Sequence, residues 1–149
     1  EAMLRYEPKQ ADVRRDLASL YGRTNREREL ELHLAESAKL FPESAEWPRR
    51  QAYMKRRDGN YDEALEKLKI AFELEPDRTL LFEFVSLQLL ANRPHDALDT
   101  LQDQIDLIEE SPRLQALRGR ALQVTQKRED ATATSSYRSR PNSRWRARA

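Results

Sequence analysis

Gly59-Asn60-Tyr61-Asp62-Glu63-Ala64-Leu65-Glu66-Lys67-Leu68-Lys69-Ile70-Ala71-Phe72-Glu73-Leu74-Glu75-Pro76 decides the fold. It reads as a turn, an amphipathic helix and a proline stop. Ala64, Leu65, Leu68, Ala71 and Phe72 fall at i, i+1, i+4, i+7 and i+8, one face of a helix. Asp58-Gly59-Asn60 is turn chemistry. Glu63 and Lys67 add an i,i+4 pair worth a few tenths of a kcal/mol. Prolines recur upstream at a fixed interval: Pro8, Pro42 and Pro76 are 34 residues apart. Such a period marks a solenoid of stacked helical hairpins, in which each unit buries its apolar face only against its neighbours.

Upstream, Val13, Leu17, Leu20 and Tyr21 predict a helix over 11–23, with a turn at Gly22 to Asn25. Leu30, Leu34, Ala38 and Phe41 predict its partner over 27–40, ended by Pro42. The next pair opens near Ser44, an expected cap, with Pro48 in the first turn and Trp47, Gln51, Ala52 and Met54 behind it. Downstream, Leu80 to Leu90 is apolar nearly all round, as in a buried helix. Asn92 to Asp96 is a turn, with Asp96 the expected cap, and Ala97, Leu98, Leu101, Ile105 and Ile108 line the following helix. From Pro76 to Pro112 the interval is 36, a slip of two. Leu114, Leu117, Ala121, Leu122 and Val124 predict one more helix, which weakens through Ala131 to Ser136. The expected organisation is therefore repeats at 11–42, 45–76 and 79–111, and a degenerate repeat at 112–141. Residues 1–8 are expected to end a preceding repeat and 142–149 to begin another helix.

Composition agrees with a solenoid. Only 38% of the 149 residues are hydrophobic and 36% are charged. A repeat array tolerates that because much of its surface stays wet. Cysteine is absent, which excludes disulfides and thiolate metal sites without fixing a compartment. No apolar run approaches a membrane span. The net charge of +1 is unevenly placed: residues 127–149 hold seven basic and two acidic side chains, and the rest of the chain is net acidic.

The pattern resembles the tetratricopeptide repeat (TPR). Gly59, Tyr61, Ala64, Leu68, Ala71 and Pro76 carry the resemblance most closely; Leu17-Ala18 with Tyr21, Phe82 with Leu89, and Gly119 with Leu122 add to it. Leu30 where alanine is usual, Gln104 at the second alanine position and Trp47 one place early depart from it. The resemblance implies an all-α fold, a right-handed α-solenoid of antiparallel helix hairpins, and a non-enzymatic scaffold that binds a partner protein along its first helices. Carried over, the face would include Asp12, Arg15 and Ser19; Arg49, Tyr53 and Arg56; Leu80, Glu83 and Leu87; and Arg113, Ala116 and Arg120. Arg15, Arg49, Arg56, Arg113 and Arg120 would make it basic and Tyr53, Leu80 and Leu87 would give an apolar strip, suited to an acidic peptide or surface. The opposite reading is that the arginines are solvated and the leucines pack internally. Some TPR domains clamp a chaperone's terminal carboxylate. The matching positions here, Arg15, Ser19, Arg50, Leu80 and Phe84, lack the asparagines and the later basic pair, which argues against that role. A further resemblance, to TPR regions of bacterial exopolysaccharide-secretion proteins, implies an envelope setting.

No phosphate loop, His-Glu-x-x-His motif or cysteine cluster is present, so no cofactor, metal or catalytic set is expected. His33 and His95 read as surface side chains. Two alternatives stay open. The arginine-rich end, with Tyr137 or Trp145 for stacking, could bind RNA. Open repeat ends and the apolar 80–90 helix could drive self-association.

Overall fold

The computed structural model describes residues 8–138, with side chains from 10 to 135. The expected helix ends at 1–8 and 142–149, and the side chains of Tyr137 and Trp145, lie outside them. The described residues contain no strand. Eight helices follow in order: α1 (Pro8–Arg23), α2 (Glu27–Leu40), α3 (Glu46–Arg57), α4 (Tyr61–Leu74), α5 (Arg78–Leu90), α6 (Pro94–Asp103), α7 (Ile105–Glu109) and α8 (Pro112–Arg138). None is long and apolar enough to cross a membrane. The chain divides into two compact units, Glu1–Phe84 and Val85–Ala149, with the boundary inside α5.

One loop is built three times. Asn25, Gly59 and Asn92 all take positive φ, at 57°, 78° and 64°. They are spaced by 34 and 33 residues. After each, the next residue donates its N–H five residues back: Arg26 to Tyr21 at 3.0 Å, Asn60 to Lys55 at 2.9 Å and Arg93 to Gln88 at 2.8 Å. A left-handed residue followed by a long back-bond closes the end of a helix, satisfying its last carbonyls. Glycine and asparagine reach that conformation most cheaply, which explains the residue types. The chain then re-enters a helix at once, so α1–α2, α3–α4 and α5–α6 are tight hairpins.

Caps follow local chemistry. Asn60 Oδ1 accepts from the Glu63 N–H at 3.4 Å, and Asn60 Nδ2 donates to Glu63 Oε1 at 2.6 Å. Asp77 Oδ1 accepts from the N–H groups of Thr79 and Leu80, at 2.5 and 2.8 Å, to open α5. Two expected caps are corrected. Ala45, not Ser44, precedes α3, and Arg93, not Asp96, precedes α6, because Pro94 takes the first helical position and leaves Asp96 inside the first turn. Pro112 likewise opens a helix, whereas Pro42 and Pro76 lie between helices. Phe41 and Glu75, each before a proline, are held at ψ 65° and 87°, outside the helical region.

In the first unit α1 packs on α2, α2 on α3 and α3 on α4. Its core gathers Ala11, Ala18, Leu34, Phe41, Trp47 and Met54, with Leu30 and Ala38 against it. Phe41 and Trp47 stack with centroids 5.9 Å apart. Ala52, Ala64 and Ala71 are buried and let α3 and α4 approach closely. In the second unit α8 packs on α6 and α7. Gln88 donates to Thr100 at 2.9 Å, tying the end of α5 to α6. Here the second helix of the hairpin is interrupted at Gln104, at φ −113° and ψ 34°. In α8, Leu114, Leu117, Ala121 and Thr125 are buried, and every residue from 126 to 135 is exposed. The helix nevertheless continues for 27 residues without a turn.

Candidate partner-binding face

The first unit aligns α1, α3 and the opening of α5 through ion pairs between neighbouring repeats. Arg15 Nε donates to Glu46 Oε2 at 2.7 Å, and Arg15 also pairs with Asp12 on its own helix. Arg50 Nε donates to the other oxygen, Glu46 Oε1, at 3.0 Å. Arg49 grips Glu83 with two parallel bonds, Nε to Oε2 at 3.0 Å and Nη2 to Oε1 at 2.5 Å. Arg49 and Glu83 are 34 residues apart, the same position in successive repeats. Glu83 raises the guanidinium pKa above its ordinary value, chiefly by the hydrogen bond. Partly exposed pairs of this kind add only about 1 kcal/mol or less each. Their larger consequence is geometric, since a bidentate fork fixes the arginine plane.

The last turn of α3 is fastened too. Lys55 donates to Glu31 at 2.8 Å and pairs with Glu63 at 2.9 Å. Arg57 donates to Glu27 at 2.7 Å. The two carboxylates, Glu31 first, raise the Lys55 pKa well above the usual range; Lys55 and then Asn60 lower that of Glu63.

These contacts reshape the basic strip drawn from sequence. Arg15 and Arg49 already hold carboxylates of the chain. On this face Arg15, Arg49, Arg50 and Arg56 oppose Asp12, Glu46 and Glu83, four against three, a net +1. Arg56 is exposed and engages no carboxylate among the described residues. One turn away Tyr53 stands 70% exposed, its phenol without a hydrogen bond among the described residues. One repeat earlier the positions of Tyr53 and Arg56 are Ser19 and Gly22, both small and exposed. Tyr53 and Arg56 are therefore the open pair, braced by arginines that are already spoken for.

The apolar strip is corrected more sharply. Leu80 is 2% exposed and Leu87 1%, so both are core and neither reaches a partner. A helix apolar all round spends its leucines on its own neighbours. Arg113, Ala116 and Arg120 are exposed on α8 in the second unit. Arg113 and Arg120 are seven residues apart and so share a helix face.

His33 is also corrected, from surface to buried. Its Nε2 lies 3.0 Å from the Arg14 carbonyl oxygen, so that nitrogen carries the proton. Tyr21 meets the ring edge-on at 5.8 Å, and the Arg26 guanidinium lies over Tyr21 at 5.2 Å. Arg14 donates to Ser37 at 3.1 Å and Ser37 to the His33 carbonyl at 2.8 Å. The signal was in the spacing: Leu30, His33, Leu34, Ser37 and Phe41 fall at i, i+3, i+4, i+7 and i+11. Among the described residues no group of three or more His, Cys, Asp or Glu side chains could hold a metal ion.

No protein-family profile matches the chain. No curated protein matches it by sequence. Solved structures do match in fold. The TPR domain of P58(IPK) superposes with a TM-score of 0.70 at 17% identity, over 84% of this chain and 35% of that one. The first TPR domain of Spaghetti (RPAP3), bound to the HSP90 peptide SRMEEVD, gives 0.64 at 12% identity, over 82% and 98%. The type III secretion chaperone SycD of Yersinia enterocolitica, in complex with a peptide of the translocator YopD, gives 0.63 at 12% identity, over 86% and 98%. The chain has the fold of TPR domains.

Proposed function

We propose that the chain is a non-enzymatic protein-interaction module that holds an extended segment of a partner protein against the first-helix face of its first unit. The observation that carries this reading is the open Tyr53–Arg56 pair on an otherwise charge-paired face. A large exposed aromatic beside a free guanidinium is a binding anchor, since a rigid ring adds contact area at low entropic cost. The surrounding ion pairs pre-organise the face and lower what ordering it costs. Structures of similar fold solved with partner peptides lend further support.

The chemistry of the partner follows. With Arg15 and Arg49 occupied, one cationic group remains open among the residues of this face. The segment therefore needs an apolar or aromatic residue for Tyr53 and one carboxylate nearby for Arg56. It does not need a run of acids. In a fluorescence-polarisation screen of extended peptides differing in these two features, those with both bind. Tyr53→Ala and Arg56→Glu each weaken binding about tenfold, while the circular dichroism spectrum is unchanged. Binding unmoved by either variant, or best with uniformly acidic peptides, would sink the reading. RNA binding instead shows as a steep loss of affinity between low and moderate salt.

A further inference from the structure

Tyr53 and Arg56 sit at the open end of a face whose other end is closed. Near the starts of α1 and α3, Arg15 and Arg50 share Glu46, and Arg49 holds Glu83. Those side chains bridge one repeat to the next. Towards the ends of the same helices, the α1 positions one period before Tyr53 and Arg56 are Ser19 and Gly22. Both are too short to bridge, and both are exposed. The packing of the chain does not ask for either. Gly22 is helical, outside the left-handed region that Gly59 occupies. A Cβ at Gly22 would meet Leu30 Cδ2 at 4.0 Å, an ordinary contact, so alanine fits there and favours the helix. Ser19 Oγ donates to the Arg15 carbonyl one turn back at 2.9 Å, which turns the hydroxyl onto its own helix. The two residues form a low ledge beside the exposed Tyr53 ring.

On the reading that Tyr53 and Arg56 anchor a partner segment, on which this rests, we infer that one aromatic side chain of that segment lies on the Ser19–Gly22 ledge against the Tyr53 ring, with a neighbouring carboxylate on Arg56. Tyr53 and Arg56 set the chemistry of the residues accepted. Ser19 and Gly22, from the preceding repeat, set their size and are specificity-determining residues.

Dimensions select a single ring. Ser19 to Gly22 is close to one turn, about 5 Å along α1. Helices that lie side by side are about 10 Å apart. One ring fills such a notch and a second does not fit. Aromatic pairs also attract through edge and face contacts beyond the area they bury, which an aliphatic residue lacks. Arg15 and Arg49 are held by Glu46 and Glu83, so the open guanidinium of Arg56 matches one carboxylate. One aromatic–acidic pair therefore complements the site in shape and in charge.

The test titrates the isotope-labelled 149-residue chain with short glycine–serine peptides and follows its backbone amides by NMR. Each peptide carries one glutamate and, one to three positions away, tryptophan, phenylalanine, leucine or alanine. The aromatic peptides are expected to bind about three- to tenfold tighter than the leucine peptides, with the largest shifts at the amides of residues 19–22 and 53–56. Ser19→Leu with Gly22→Leu fills the ledge with good helix formers, so the melting temperature holds or rises. That variant removes the preference for an aromatic residue and leaves binding of the alanine peptides within about twofold. Gly22→Ala, a smaller step, keeps most of the preference. An aromatic preference that survives the two leucines overturns the inference. So does equal binding of all four peptide types when Tyr53→Ala still weakens it, and in both cases the partner-binding reading of Tyr53 and Arg56 stands. Binding that Tyr53→Ala leaves unmoved, or no binding by any peptide, overturns that reading and the inference with it.

Discussion

Two second helices, α4 and α6–α7, begin alike and end differently. Each follows a left-handed residue, Gly59 or Asn92, and each starts with the same back-bonded loop. Ala64 and Leu68 correspond to Ala97 and Leu101, 33 residues on, and all four are buried. The next position separates them. Ala71 is fully buried and α4 runs unbroken over 14 residues. Gln104 stands in its place, and the helix breaks there, with Leu107 N–H bonding three residues back to Gln104. Burial resumes at Ile108. The difference teaches that the loop decides where a second helix starts, while a small side chain at the close approach decides whether it stays straight. An amide at that approach has to be left unpaired or kept near water, and the second course opens the helix.

The strongest way to break the contrast is to exchange those residues. Ala71→Gln should cost about 2–4 kcal/mol, read by urea unfolding, because a packed alanine site has no room or partner for an amide. A loss below about 1 kcal/mol would mean that the break at Gln104 has another origin. The loop gives the next largest effect. Gly59→Ala forces a Cβ into a left-handed site and should cost ~1–2 kcal/mol, whereas Asn92→Gly should change stability by less than about 0.5 kcal/mol. Equal penalties would show that the two loops are not equivalent. Gln104→Ala should stabilise the second unit by about 0.5 kcal/mol and slow amide exchange from 104 to 108. No slowing would place the cause in the two-residue slip before Pro112 instead.

The smallest effect is a pH response confined to the first unit. Glu63 has its pKa lowered by Lys55, then by Asn60. Its contribution is complete above the ordinary carboxylate pKa of 4.5 and is lost as pH falls through the lowered folded value. Glu63→Gln should flatten that part of the stability–pH curve, measured from thermal midpoints between neutral and acid pH. An unchanged acid limb would assign the response to other carboxylates.

Much of the fold was legible because helix periodicity and turn residues are local signals. The bounds 27–40 read from Leu30 to Phe41 are those of α2. The 34-residue period was visible in the prolines, although Pro112 opens a helix instead of stopping one. The face was less legible. Sequence places Arg15 and Arg49 on it, but their neutralisation depends on Glu46 and Glu83, 31 and 34 residues away. Leu80 and Leu87 looked available because a helix apolar all round does not reveal which side is covered. His33 was missed because its polarity outweighed its spacing. Neither the partner nor an exopolysaccharide-export setting is written in Ala64, Leu68 or Ala71, since packing residues are indifferent to what the surface binds.

The sequence by itself determined the helices, the three left-handed turns and the hairpin period, since each rests on residues a few positions apart. Only the tertiary structure decided which charged groups remain open, which leucines are core and where α6 gives way to α7. Those outcomes depend on side chains from different repeats meeting in space. Their energies come from burial and from pairing across a full period, and no single stretch of chain contains both partners.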